Sequence, residues 1–312
     1  MKHNVKITII LLVMFFITQI IGLIVINAYS PRQEVVFNET TQQQEVVNVT
    51  PQLPYGMQPP EDLEPGVSLT TIITAFIIAI LLIFLLSKIK AALFLKFWFF
   101  FVVVIALGLA INPFIKGLAQ DYAPYLAAAI ALPLAFYKIF KRNLVVHNLT
   151  ELLIYPGIAT VFVPILNLWT VIILLLLISV YDMYAVWHSG FMQKMAKFQI
   201  QELKFFAGFF IPYVSAKDKA KIIEARKSKS EKGLKKIKVN LAILGGGDVV
   251  FPIITAGVVL RMWGLPQALL ISVFATLSLL WLFVIAKKGK FYPAMPFITI
   301  GCLLGIFLGW LI

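Results

Sequence analysis

Two carboxylates sit where an apolar sequence leaves them little solvent. Asp182, in Val180-Tyr181-Asp182-Met183, and Asp248, in Gly245-Gly246-Gly247-Asp248, lie well inside long hydrophobic runs, whereas most of the fourteen acidic residues fall in polar stretches. An ionised carboxylate near the centre of a bilayer costs ~2.5 kcal/mol or more, so each marks a site with work to do. Two carboxyls brought together in a poorly solvated place cannot easily both ionise. They share a proton and titrate as a unit. Such a pair can hydrolyse a peptide: one carboxylate takes a proton from the attacking water, and the other acid polarises the carbonyl and then protonates the leaving nitrogen. It equally suits a proton- or cation-coupled transporter or channel, and on the pair alone both readings stand.

The three glycines before Asp248 sharpen the anomaly. Each is about 1 kcal/mol worse than alanine inside a helix, and together they bare a patch of backbone that another chain can approach. No metal or cofactor is expected. His3, His147 and His188 lie near the ends of apolar runs without the spacing of a ligand set, which reads as interfacial packing, and Cys302, the only cysteine, reads as a small packing residue.

The elements that must position these residues are membrane helices. With 61% hydrophobic and 13% charged residues among 312, the chain is a polytopic membrane protein rather than a soluble domain. Nine apolar runs are long enough to span: Ile7–Ile26, Val67–Leu86, Leu93–Ile111, Tyr122–Phe140, Leu149–Ile165, Leu168–Trp187, Val239–Leu260, Leu265–Ala286 and Phe291–Ile312. The stretch from Leu149 to Trp187 is split at Leu166-Asn167 because it is about twice the length of one span. The expected fold is an all-α membrane bundle of nine helices forming one integral membrane domain. Residues 1–187 make a six-helix part with an acidic, Pro-rich extracytoplasmic loop at 27–66. Residues 188–238 are a cytoplasmic loop, and 239–312 a three-helix part.

Charge fixes the orientation. Alternate crossing from an inside N-terminus puts 24 of the 27 Lys and Arg residues on one side, leaving only Arg32, Lys116 and Arg261 outside. The positive-inside rule therefore places the N-terminus in the cytoplasm and the C-terminus outside, and it accounts for the net charge of +13 without nucleic acid. Within the cytoplasmic loop, Gly190 to Tyr213 reads as an amphipathic helix lying in the interface, and Lys217 to Lys238 as a basic run drawn to anionic headgroups. Asp182 and Asp248 fall on antiparallel neighbours, both in the cytoplasmic half of the bilayer.

Three short motifs in this order resemble the presenilin and signal-peptide-peptidase family of GxGD intramembrane aspartyl proteases, most closely its archaeal presenilin-like members. Tyr181-Asp182 is similar to the family's YD motif in the sixth helix, and Gly245-Gly246-Gly247-Asp248 to GxGD in the seventh. Pro293-Ala294-Met295, opening the ninth, resembles PAL, with Met where Leu is expected. Met295 is of similar volume, so the motif's supporting role is expected to survive. The resemblance implies that Asp182 and Asp248 are the catalytic pair. Tyr181, Pro293, Ala294 and Met295 would support them, while Gly245, Gly246 and Gly247 offer an edge where an unwound substrate adds as a strand. It further implies transmembrane segments of other membrane proteins as substrates, the lipid bilayer as partner and an archaeal cell membrane as location. Homo-oligomerisation is left open. A long loop kept in the cytosol matches the presenilin branch.

Overall fold

The computed structural model describes residues 5–38, 43–49, 51–57, scattered positions from 70 to 85, and 92–141, 143–188, 207–213, 240–286 and 292–312. The helices are α1 (Val5–Ala28), α2 (Ala92–Lys116), α3 (Ala123–Phe136), α4 (Leu144–Phe162), α5 (Leu168–Trp187), α6 (Gly246–Trp263), α7 (Leu265–Ile285) and α8 (Met295–Leu311). Seven described helices are long and apolar enough to cross a membrane, and α8 is a shorter apolar helix. The expected span over Val67–Leu86 falls mostly outside the described residues, although its described positions are helical.

Local chemistry explains where the helices break. The apolar stretch after Leu149 divides at Asn167, whose side chain accepts from the Thr170 N–H at 2.8 Å while the Thr170 hydroxyl accepts from the Asn167 N–H at 2.9 Å. This reciprocal cap satisfies two donors that the first turn of α5 would otherwise leave bare. Just before it, Pro164 lies in a 3-10 turn at Val163–Ile165. Between α6 and α7 a single residue makes the reversal. Gly264 has φ +103°, a conformation that side chains rarely adopt.

α6 is the most buried of the membrane-length helices. It packs against α1, α4, α5, α7 and α8, so the main hydrophobic core surrounds it, with Phe15, Tyr155, Leu175, Ile253, Ile271 and Ile298 among the buried side chains. A smaller core joins α2 and α3 to Ile154 of α4.

Two antiparallel hairpins depart from the all-α expectation. In the 27–66 region, β1 (Arg32–Asn38) pairs with β2 (Gln43–Val49) where an irregular loop was expected. The other hairpin matters more for function. β3 (Gly208–Tyr213) pairs with β4 (Asn240–Gly245), which runs directly into α6. The expected span from Val239 is therefore strand up to Gly245 and helix only from Gly246. A short apolar run has no period that separates buried strand from buried helix, and three glycines favour neither. The end of the expected interfacial helix, Gly208–Tyr213, is likewise strand. Its earlier part and the basic run Lys217–Lys238 lie outside the described residues.

Candidate active site

Asp182 projects from the last third of α5 and is buried, 5% exposed. Its Oδ2 accepts the Met295 N–H at 3.0 Å. Ala294 is the N-cap of α8, with Pro296 in its first turn. The first N–H groups of a helix have no intrahelical acceptor and carry the positive end of its dipole, so an anion from another helix is a fitting partner. The Pro293-Ala294-Met295 run thus meets Asp182 through its backbone, which explains why methionine serves at the last position. One turn deeper, the Ser179 and Thr299 hydroxyls hydrogen-bond at 2.7 Å and tie α5 to α8 again.

Asp248 is the third residue of α6, in its first turn rather than the mid-helix position that a span from Val239 implies. Its carboxylate folds back against the backbone of Gly245, the N-cap of the same helix. A Cβ on Gly245 would sit 3.2 Å from Asp248 Oδ2, a tight fit against the carboxylate. Gly246 is more constrained, since a Cβ there would lie 2.8 Å from both Cε1 and the hydroxyl of Tyr155. Gly247 is exposed and would meet only the Phe251 ring edge, at 3.8 Å.

Since α5 packs on α6, the two carboxylates are brought within electrostatic range of each other. The structure therefore gathers Asp182, Asp248, Gly245, Gly246, Ala294 and Met295 at one end of the bundle. Pro293 is buried beside them, whereas Tyr181 is 42% exposed.

Several polar residues at this end escaped the sequence reading. Gln19 of α1 is fully buried and donates from Nε2 to the Val249 carbonyl at 3.1 Å, gripping α6 next to Asp248. Tyr155, also buried, stacks edge-on against Phe209 of β3, with its hydroxyl within electrostatic reach of both Glu151 and Asp248. His147, in the first turn of α4, is buried and joins Lys138 and Glu151 in a cluster sealed from solvent. The signal was present as a stripe: His147, Glu151 and Tyr155 follow at intervals of four, one face of a helix.

The chain matches, over residues 49–312, the family model described as signal-peptide peptidase, presenilin aspartyl protease. Among solved structures it is similar to a presenilin family intramembrane aspartate protease in a C222 crystal, with 17% identity and a TM-score of 0.61 over 97% of this chain and 98% of that one. A presenilin family intramembrane aspartate protease in a P2 crystal is similar at 18% identity and a TM-score of 0.57, over 96% of each chain. At such identities these likenesses speak for the fold. No curated protein sequence matches the chain. With the family match reaching across every helix from α2 to α8 and both carboxylates inside it, the chain belongs to the signal-peptide peptidase and presenilin family and is an intramembrane aspartyl protease.

Proposed function

We propose that Asp182 and Asp248 are the catalytic pair, and that they hydrolyse peptide bonds within transmembrane segments of other membrane proteins in the cytoplasmic half of the bilayer. The observation that carries this is the convergence of two carboxylates from neighbouring membrane helices, one held by the N-terminus of α8 and the other folded against Gly245 at the start of α6. The pair shares one proton. The ionised carboxylate removes a proton from water as its oxygen bonds to the peptide carbonyl carbon, and the protonated one hydrogen-bonds the carbonyl oxygen. Breakdown of the tetrahedral species breaks the C–N bond as the leaving nitrogen takes up a proton. The alternative of a transporter using the same carboxylates finds no support in the family match.

The hairpin beside Asp248 supports a strand-like mode of substrate binding. Hydrogen-bonding direction alternates along antiparallel strands, so with Gly246 N–H donating to the Ala207 carbonyl, residues 240, 242 and 244 face β3. Leu241, Ile243 and Gly245 then direct their backbone groups to the other side, where no strand pairs with β4 among the described residues. A helix hides its peptide bonds, whereas an unwound segment laid along this edge exposes one to the aspartates.

Contacts at the opposite end favour nine crossings. Tyr29, just past the C-terminus of α1, donates to the Leu109 carbonyl at 3.0 Å and accepts from Asn112 Nδ2 at 2.9 Å near the C-terminus of α2. Two successive membrane helices that end on the same face require a return crossing between them, and the apolar run Val67–Leu86 fits that need. Basic residues then set the N-terminus and the hairpin β3–β4 in the cytoplasm and the C-terminus outside.

Replacing Asp182 or Asp248 by Asn tests the pair. Either variant, reconstituted with a transmembrane substrate, is expected to lose at least about a thousandfold in turnover while its thermal unfolding stays cooperative. Retained turnover in a folded single variant would sink the assignment.

A further inference from the structure

Among the described residues, the two edges of the hairpin that leads to Asp248 differ: no strand pairs with the outer side of β4, while the outer side of β3 is occupied. β3 turns residues 209, 211 and 213 toward β4, leaving the backbone groups of Gly208 and Phe210 on its outer edge. There the partners are not another strand but side chains of α4. Asn148 brackets Phe210, accepting its N–H at 3.2 Å and donating from Nδ2 to its carbonyl at 3.0 Å. Glu151 accepts the Gly208 N–H at 3.4 Å, and His147 Nε2 lies 2.8 Å from the Gly208 carbonyl. Pro212, next on this edge, has no N–H to satisfy.

Behind this row lies an ionic anchor. Lys138, in the π turn Tyr137–Lys141 that ends α3, donates to Glu151 at 2.5 Å and stands 3.2 Å from His147 Nδ1. The lysine ammonium can only donate, so His147 accepts at Nδ1 and carries its proton on Nε2, the form that can donate to Gly208. All three side chains are buried, so the cluster fixes α4 and the end of α3 in one arrangement. One turn on from Glu151, Tyr155 abuts Gly246. A single stripe on α4 thus grips the hairpin from its outer edge to the first residue of α6.

We propose that Lys138, His147, Asn148 and Glu151 form a clasp of positioning residues, which fixes β3 against α4 and so sets where β4 presents a bound substrate to the aspartates. On this reading the clasp decides which peptide bond is cut. The inference rests on the strand-like binding proposed above. It gives α4 a role in cleavage position exerted through the hairpin.

The test is the mass spectrum of products from one transmembrane substrate, taken with the unmodified chain and with Asn148→Ala, Asn148→Ser, His147→Leu and His147→Gln in the same liposomes. Asn148→Ala deletes both bonds to Phe210 without baring a charge. It is expected to lower kcat about tenfold and to add products cut at neighbouring bonds. Asn148→Ser, milder in size, gives the same readout should the alanine variant fail to fold. His147→Gln, whose amide can donate to Gly208, is expected to keep the original products better than His147→Leu. A merely structural role would lower yield and Tm with product masses unmoved, and unmoved masses in folded variants would overturn the clasp. No product from the unmodified chain would instead overturn the proteolytic reading, and the clasp's role with it.

Discussion

Asp182 and Asp248 are held by different devices, and the difference gives them separable sensitivities. Asp182 leans on a helix N-terminus supplied by α8, whereas Asp248 lies in the first turn of its own helix, against Gly245. A pair that works only when singly protonated loses its base at low pH and its acid at high pH. The pH profile of kcat/KM on a reconstituted substrate is therefore expected to be bell-shaped, and a single sigmoid would contradict the shared proton. The glycines differ in the same residue-level way. Gly246→Val drives a side chain into the Tyr155 ring and is expected to reduce activity at least about tenfold and to lower Tm. Gly247→Ala, whose Cβ would make only an ordinary 3.8 Å contact with the Phe251 ring, is expected to fold with Tm equal to or above that of the unmodified chain. Both aspartates were legible in the sequence because a carboxylate in an apolar run has no innocent explanation. Glu151 was not, since two residues in from the end of an expected span it reads as a headgroup-level residue, and only the fold brings Lys138 and the strand edge to it.

At the scale of elements, the sequence located the helices better than it located their ends. Asn167 separates α4 from α5 where the apolar pattern alone hinted at a turn, and the reciprocal cap with Thr170 supplies the reason. Asn167→Ala removes that cap and is expected to cost about 1 kcal/mol in thermal unfolding, with kcat nearly unchanged because the cap lies at the far end of α5 from Asp182. β4 was illegible for a physical reason: Leu241 to Leu244 is uniformly apolar, and its strand conformation is imposed by pairing with β3, more than twenty residues earlier. That strand also moves Asp248 from mid-helix to the first turn, where its carboxylate folds back against Gly245. On sequence alone the three glycines bare a patch of backbone. They stand at the strand-to-helix junction, where Gly246 alone is forced small by Tyr155.

For the whole molecule, the proposed topology takes its sidedness from the charge asymmetry and its crossing count from the meeting of the α1 and α2 ends. The single native cysteine, Cys302, is buried, so introduced cysteines can report sidedness. In sealed cells, Gln33→Cys is expected to react with an impermeant maleimide and Ser228→Cys only after permeabilisation. The reverse pattern would invert the topology. The buried Lys138–Glu151 pair sets a further scale. Glu151→Leu alone strands a buried cation and is expected to cost about 3–5 kcal/mol, whereas the double change with Lys138→Met should recover much of that loss in thermal unfolding.

All these features serve one claim, that two aspartates at the cytoplasmic end of α5 and α6 cut a peptide bond inside the membrane. The most direct measurement is mass spectrometry of both fragments of a single transmembrane substrate incubated in liposomes with the unmodified protein and with Asp182→Asn. Complementary fragments whose new termini lie in the cytoplasmic half of the substrate's apolar segment, made by the unmodified protein and absent with Asp182→Asn, are the expected result. Cleavage confined to residues outside that segment, or the same fragments from folded Asp182→Asn, would contradict it.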